Sequence, residues 1–157
     1  MFIGLVLLQA LILNNIQFLG FINPYFYIYF ILLLPSSVNR DLTLLLGFLL
    51  GLSLDVFCGS LGCHTFATTL VAYLKPYFQK VFGPREDYDV VIPSFRSFGV
   101  KEFLQYATIL VFVHQFVYFF VEAFTFADIL QVLMKAFCCS IFTILLIYIA
   151  EKLTYKR

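Results

Sequence analysis

Polar residues punctuate this chain rather than alternate along it, and the stretches between them are apolar for long enough to be membrane helices. Six helical segments are expected, at about 2–19, 21–38, 41–58, 61–78, 101–122 and 127–151, with a loop over about 79–100. A bilayer core needs roughly 20 apolar residues per helix. The second segment is the weakest. Its run from Asn23-Pro24 to Leu34 is short, so it takes in all of 21–38, tilts little, or spans thinned bilayer. Pro24 suits a first helical turn, where a missing N–H costs nothing. The fourth segment is expected to close at Lys75-Pro76, and the sixth to open on the capping-box spacing of Thr125 and Asp128 and to end at Glu151-Lys152. The apolar start at Phe2, with no charged leader region, predicts a retained span rather than a cleaved signal.

Composition places this pattern in lipid. Of 157 residues, 62% are hydrophobic and 12% charged, against roughly 45–50% and 25% in soluble domains. The fold class expected is an all-α polytopic membrane protein, a single domain over 1–157. Nine of the ten Lys and Arg fall in three places: Arg40; Lys75, Lys80, Arg85, Arg96 and Lys101; and Lys152, Lys156 and Arg157. With six spans these share one side, while the loops around Gly20, Gly59 and Thr125 carry no Lys or Arg. The positive-inside rule makes the basic side cytoplasmic, with both termini inside. A net charge of +1 and the lack of a basic stripe argue against nucleic acid. The aromatic excess, 21 Phe and 10 Tyr, reads mostly as lipid-facing filler and interface belt.

The densest information lies between Gly47 and Gly62. Gly47, Gly51, Asp55 and Gly59 recur every four residues, one face of a helix. Glycine costs roughly 1 kcal/mol in a helix interior, and a carboxylate in lipid roughly 2.5–3.5 kcal/mol on insertion scales. Close packing along the glycines and a partner for Asp55 would offset both. Asp55 is expected to be a structural anion at the turn into the fourth segment. Its first partners are amides at 60–64, with the Ser60 hydroxyl, the His64 ring and Lys135 as further candidates.

Other polar residues gather toward the same, outer side: Asn14, Asn15 and Gln17; His64 with Thr65, Thr68 and Thr69; His114, Tyr118 and Glu122 on one stripe; Asp128, Gln131 and Lys135 on another. Lys135 lies about 10 Å into its span; it could snorkel outward, but pairing with Asp55 or Glu122 would cost less. His64, His114, Glu122 and Lys135 are thus candidates to line an outer polar cavity. Three uses fit it: a structural network ordering the helices, a small-ligand site, or catalysis. No CxxC, HExxH, GxSxG or Walker pattern occurs, so no catalytic, cofactor or metal set is assigned. Cys138 and Cys139 are expected to be inert buried thiols. Cys58 and Cys63 are close enough in sequence to pair in an oxidising compartment, with nothing but proximity in favour. The loop 79–97 is too apolar at Tyr88, Val90, Val91, Ile92 and Phe95 for a free linker, and is expected to lie in the interface or cover a helix end.

Gly51-Leu52-Ser53-Leu54-Asp55 followed by Gly59-Ser60-Leu61-Gly62-Cys63-His64 resembles the G-L-x-x-D…G-x-x-G signature of the rod shape-determining MreD family, and the length and six apolar segments fit that family. The matched positions are Gly51, Asp55, Gly59 and Gly62. The resemblance implies a non-catalytic, cofactor-free scaffold in the bacterial inner membrane. Its implied partner is an MreC-like bitopic protein. Through this it would connect to MreB-like filaments, a RodA-like glycosyltransferase and a class B penicillin-binding protein in peptidoglycan synthesis and cell elongation. It also implies a fold similar to the substrate-binding S components of energy-coupling-factor transporters. The alternative function is therefore a small-molecule-binding transporter subunit.

Overall fold

The computed structural model describes residues 2–15, 23–84, 90–124 and 129–155. Gln17, the loop at Gly20, Arg85 to Asp89, the Thr125–Asp128 capping box, Lys156 and Arg157 lie outside the described residues, as does the side chain of Asn15. The described chain is helical, without strands. It comprises α1 (Phe2–Leu7), continued by a wide turn Leu8–Ile12 and a tight turn Leu13–Asn15; a tight turn Phe26–Ile28 leading into α2 (Tyr29–Leu32); α3 (Arg40–Cys58); α4 (Cys63–Phe82); α5 (Phe95–Phe98); α6 (Val100–Ala123); and α7 (Ile129–Tyr155).

Three of these helices, α3, α6 and α7, are long and apolar enough to cross a membrane, and the chain is an integral membrane protein on that ground. Helix α4 matches them in length at 20 residues but is more polar. Neighbours pack in the order α3, α4, α6, α7, with α1 against α3. The α3–α4 seam is set by two glycines. A Cβ on Gly47 would stand 2.7 Å from the Ala72 Cβ, and one on Gly51 would stand 2.7 Å from the His64 carbonyl oxygen and strike the Thr65 Cα. Small residues let two backbones approach in this way. Gly59 leaves the stripe expected for it. Helix α3 ends at Cys58, and Gly59 caps it in the left-handed region at φ 67°.

The second expected segment differs most. Its described part is helical only over the turn Phe26–Ile28 and α2, and it runs through the middle of the bundle, with Tyr27, Ile28, Ile31 and Leu32 wholly buried. Its first backbone groups are bound by distant side chains rather than by a helix of its own. Gln9 Nε2 donates to the Pro24 carbonyl at 3.1 Å, the Phe26 amide donates to Gln9 Oε1 at 2.9 Å, and the Tyr25 amide donates to Thr143 Oγ1 at 3.0 Å. Non-helical backbone is tolerated at membrane depth when protein supplies such partners.

The fourth segment does not close at Lys75-Pro76. Helix α4 runs through Pro76 to Phe82, because packing against α3 and α6 outweighs one lost backbone hydrogen bond. Lys75 is thereby buried, at 1% exposure. The described part of the long loop covers a helix end: Phe95 and Phe98 are buried, and the two ends of the Ser36–Val91 contact are hydrogen-bonded at 2.8 and 2.9 Å. Ser94 and Ser97 cap α5 reciprocally, and Ser97 Oγ also donates to the Ile92 carbonyl.

Candidate functional site

The polar end of the bundle is built from the α3–α4 turn outward. Gly59 and Gly62, at φ 67° and 88°, turn the chain through left-handed conformations that disfavour other residues. The turn brings four donors onto Asp55. Ser60 Oγ donates to Oδ1 at 2.5 Å and the His64 amide to the same oxygen at 3.1 Å. The Thr65 amide and hydroxyl donate to Oδ2 at 2.8 and 2.5 Å. Asp55 is buried at 6% exposure, and these bonds are what a buried carboxylate at a helix N-terminus requires. The local amides and the Ser60 hydroxyl expected from sequence are present. The His64 ring and Lys135 are not among the partners.

The His64 ring points instead to a hydroxyl at the bundle centre. Tyr27 Oη lies 2.9 Å from His64 Nδ1 on α4 and 2.7 Å from His114 Nε2 on α6. Thr68 is also near, at 3.5 Å, but its hydroxyl donates to the His64 carbonyl at 2.7 Å. A phenol has one proton. Tyr27 therefore donates to at most one of the two imidazoles, and any ring that does not receive its proton must donate to its oxygen. Tyr25 and Tyr118 pack beside them, Tyr118 at 4.6 Å and Tyr25 at 5.7 Å from the His64 ring centroid. His114 Nδ1 and, one residue on, Gln115 Oε1 are buried without a hydrogen-bond partner among the described residues. Gln115 Nε2 reaches Thr143 Oγ1 at 3.3 Å, the same oxygen that accepts the Tyr25 amide.

Above this network opens a cavity of about 440 Å³, lined among others by Asn14, Asn23, Ser60, His64, Tyr118 and Glu122. The stripe His114, Tyr118, Glu122 thus runs from the buried centre to the cavity rim, with Glu122 exposed. Glu122 also lines a second, separate cavity of about 330 Å³ with Gln131 and Lys135. Lys135 is exposed on the surface of α7, not the buried cation expected, and shares that second cavity with Glu122 rather than meeting Asp55. The four cavity candidates therefore divide: His64 and His114 are joined through Tyr27, Glu122 lies between the two cavities, and Lys135 stands on the far side.

Cys58 and Cys63 are not joined in a disulfide, and neither Cys138 nor Cys139 is in one. The Cys58 sulfur accepts the Asn14 side-chain amide, and Cys138 is only half-buried. Among the described residues no group of three or more His, Cys, Asp or Glu side chains could hold a metal ion.

Sequence reasoning passes over Tyr25, Tyr27, Gln9 and Thr143, and takes Glu151 only as a helix end. Most of the aromatic excess reads as lipid-facing filler and interface belt, yet Tyr25, Tyr27, Tyr29 and Tyr106 are buried, as is Tyr118 of the polar stripe. Tyr106 Oη donates to the Leu32 carbonyl at 3.2 Å. The available signal was position: Tyr25, Tyr27 and Tyr29 alternate immediately after a proline rather than sitting at the end of a long apolar run. Searches of protein-family models, curated proteins and solved structures return no match to this chain.

Proposed function

We propose that this chain is a non-catalytic membrane scaffold of the bacterial cell-elongation complex, MreD-like in role, that binds an MreC-like bitopic partner and so supports peptidoglycan synthesis and cell shape. In this reading it is a six-pass inner-membrane protein with both termini cytoplasmic. One observation carries the reading. The carboxylate of the signature, Asp55, spends both oxygens on donors of its own turn, which suits a shape-holding residue rather than one reserved for substrate. Exposed apolar side chains such as Val56, Phe57 and Phe66 flank that turn and offer surface to a single membrane helix.

The second reading is a small-molecule-binding subunit of the S-component type, favoured by the polar cavity of about 440 Å³ beside His64 and Tyr118. Co-expression with an MreC-like protein, followed by detergent extraction and affinity purification, separates the two. The scaffold reading expects a stoichiometric complex that survives gel filtration. A purified protein that carries a vitamin-sized ligand and leaves the bitopic partner behind overturns it in favour of the second.

A further inference from the structure

At the opposite end of α4 lies a cavity of about 480 Å³ between the start of α3 and the last two turns of α4, lined by Ser36, Arg40, Thr43, Lys75, Gln79 and Lys80, with Val38, Pro76 and Tyr77 as apolar wall. Three of the lining residues are cations, and none is Asp or Glu. Lys75 is the deepest of them, 1% exposed. It has no hydrogen-bond or ion-pair partner among the described residues. An ammonium so largely withdrawn from water with no anion beside it is unfavourable, and its place in the cavity wall is imposed by the helix running past Pro76. The hydroxyl proton of Ser36 is available to a ligand, since Ser36 Oγ is used as an acceptor for the Val91 amide. The N-terminal end of the 19-residue α3 adds its positive dipole to the same space.

Arg40, exposed at the rim, lies over two aromatic rings. Its guanidinium lies 4.4 Å from the Tyr73 ring centroid and 5.4 Å from that of Tyr77, which fixes a planar donor fork at the cavity rim. The outer faces of Tyr73, Tyr77 and Val81 are exposed, at 43%, 50% and 72%. A ligand with a phosphate in the cavity would therefore have apolar surface beside it.

We propose that this cavity is a phosphate-binding site, with Lys75 as its buried counter-charge and Arg40 and Lys80 at its rim. A basic recess between membrane helices near a polar boundary fits the headgroup of an anionic phospholipid. A free or soluble phosphate offers the same chemistry. The site is independent of the scaffold reading, since it lies at the other end of the bundle from Asp55 and His64.

The test uses the full-length chain in an uncharged detergent. Thermal unfolding and native mass spectrometry are recorded with phosphatidylglycerol, with phosphatidylcholine, and with inorganic phosphate against chloride at matched ionic strength. Phosphatidylglycerol is expected to be retained about tenfold more tightly than phosphatidylcholine and to raise the unfolding temperature. Lys75→Met removes the charge and keeps the length, and is expected to abolish that preference. Lys80→Ala, at an exposed position, is expected to weaken it by about threefold without changing the fold. Stabilisation by inorganic phosphate but not by phosphatidylglycerol supports the site and assigns it to a soluble ligand. No preference for either phosphate source in the unmodified chain overturns the proposal, as does a lipid preference undiminished in Lys75→Met. Should Lys75→Met not fold, an undiminished preference in Lys80→Ala overturns it equally.

Discussion

Thr65 presents both its donors, the amide at 2.8 Å and the hydroxyl at 2.5 Å, to a single oxygen of Asp55 across the α3–α4 turn. With Ser60 and the His64 amide on the other oxygen, the carboxylate closes the turn from within. Asparagine at 55 would place an NH₂ group against donors and remove the charge. Asp55→Asn is expected to cost about 2–3 kcal/mol and to lower the unfolding temperature in detergent. Because Lys135 lies elsewhere, Asp55→Asn and Lys135→Met should add within about 0.5 kcal/mol. A double variant clearly less damaged than the sum would restore the ion pair expected from sequence.

The glycines of the signature do two different jobs, and alanine substitutions should separate them. At Gly51 a methyl group meets backbone of α4, which cannot move aside; overpacking there is expected to cost about 1–3 kcal/mol. At Gly59 nothing lies within 4 Å, and only the φ of 67° penalises alanine, by about 1 kcal/mol. Asparagine at 59 should recover part of that loss, and asparagine at 51 should be worse than alanine. Equal responses at both sites would remove the distinction.

Much of this arrangement is written locally and much is not. Helices α3, α6 and α7 follow long, predominantly apolar runs. Asp55 and its donors fall within ten residues of one another, so helix-end rules alone assemble them. The burial of Lys75 is different. Locally, Lys-Pro reads as a helix end; only the packing of α4 on its neighbours carries the helix past it. The insert at Pro24–Phe26 depends on Gln9 and on Thr143 from α7, more than a hundred residues away from it. Tyr27 likewise acquires its meaning from His64 and His114, on two other helices. No pattern of periodicity within one segment contains those pairings.

Glu151 is the clearest case of a residue whose surroundings reverse its reading. It was expected to mark the end of the last helix, but α7 continues to Tyr155 and Glu151 is 4% exposed. Its Oε1 accepts the Tyr29 hydroxyl at 2.6 Å and its Oε2 the Phe95 amide at 3.1 Å. One carboxylate thus ties α7 to both α2 and α5. Glu151→Gln is expected to destabilise by about 1.5–3 kcal/mol and to speed proteolysis between 90 and 98. Unchanged cleavage would show that α5 is held by Phe95 and Phe98 packing alone.

The membrane orientation is open to direct measurement at exposed positions. In a chain with its four cysteines replaced, Leu61→Cys and Phe124→Cys, at 99% and 92% exposure, should react with an impermeant thiol reagent from outside the cell. Val81→Cys and Leu153→Cys, at 72% and 66%, should react only after permeabilisation. The reverse pattern, or 61 and 124 on different sides, would defeat the arrangement with both termini inside.

The Tyr27 bridge yields a prediction about protons as well as stability. Tyr27→Phe removes the hydroxyl that His64 Nδ1 and His114 Nε2 share, and two buried groups without partners should cost about 2–4 kcal/mol together. Tyr155→Phe, at an exposed position, should be neutral. Adding His114→Phe to Tyr27→Phe removes one orphan, so the double variant should be less damaged than the sum of the singles. In the unmodified protein, nitrogen-15 spectra of the imidazoles should show one bridging nitrogen protonated and the other bare, because a single phenolic proton serves both. Two protonated bridging nitrogens would mean that Tyr27 only accepts, and that its own proton goes to Thr68 across the longer 3.5 Å contact. The asymmetric bridge would then be wrong even if Tyr27→Phe proved as destabilising as expected.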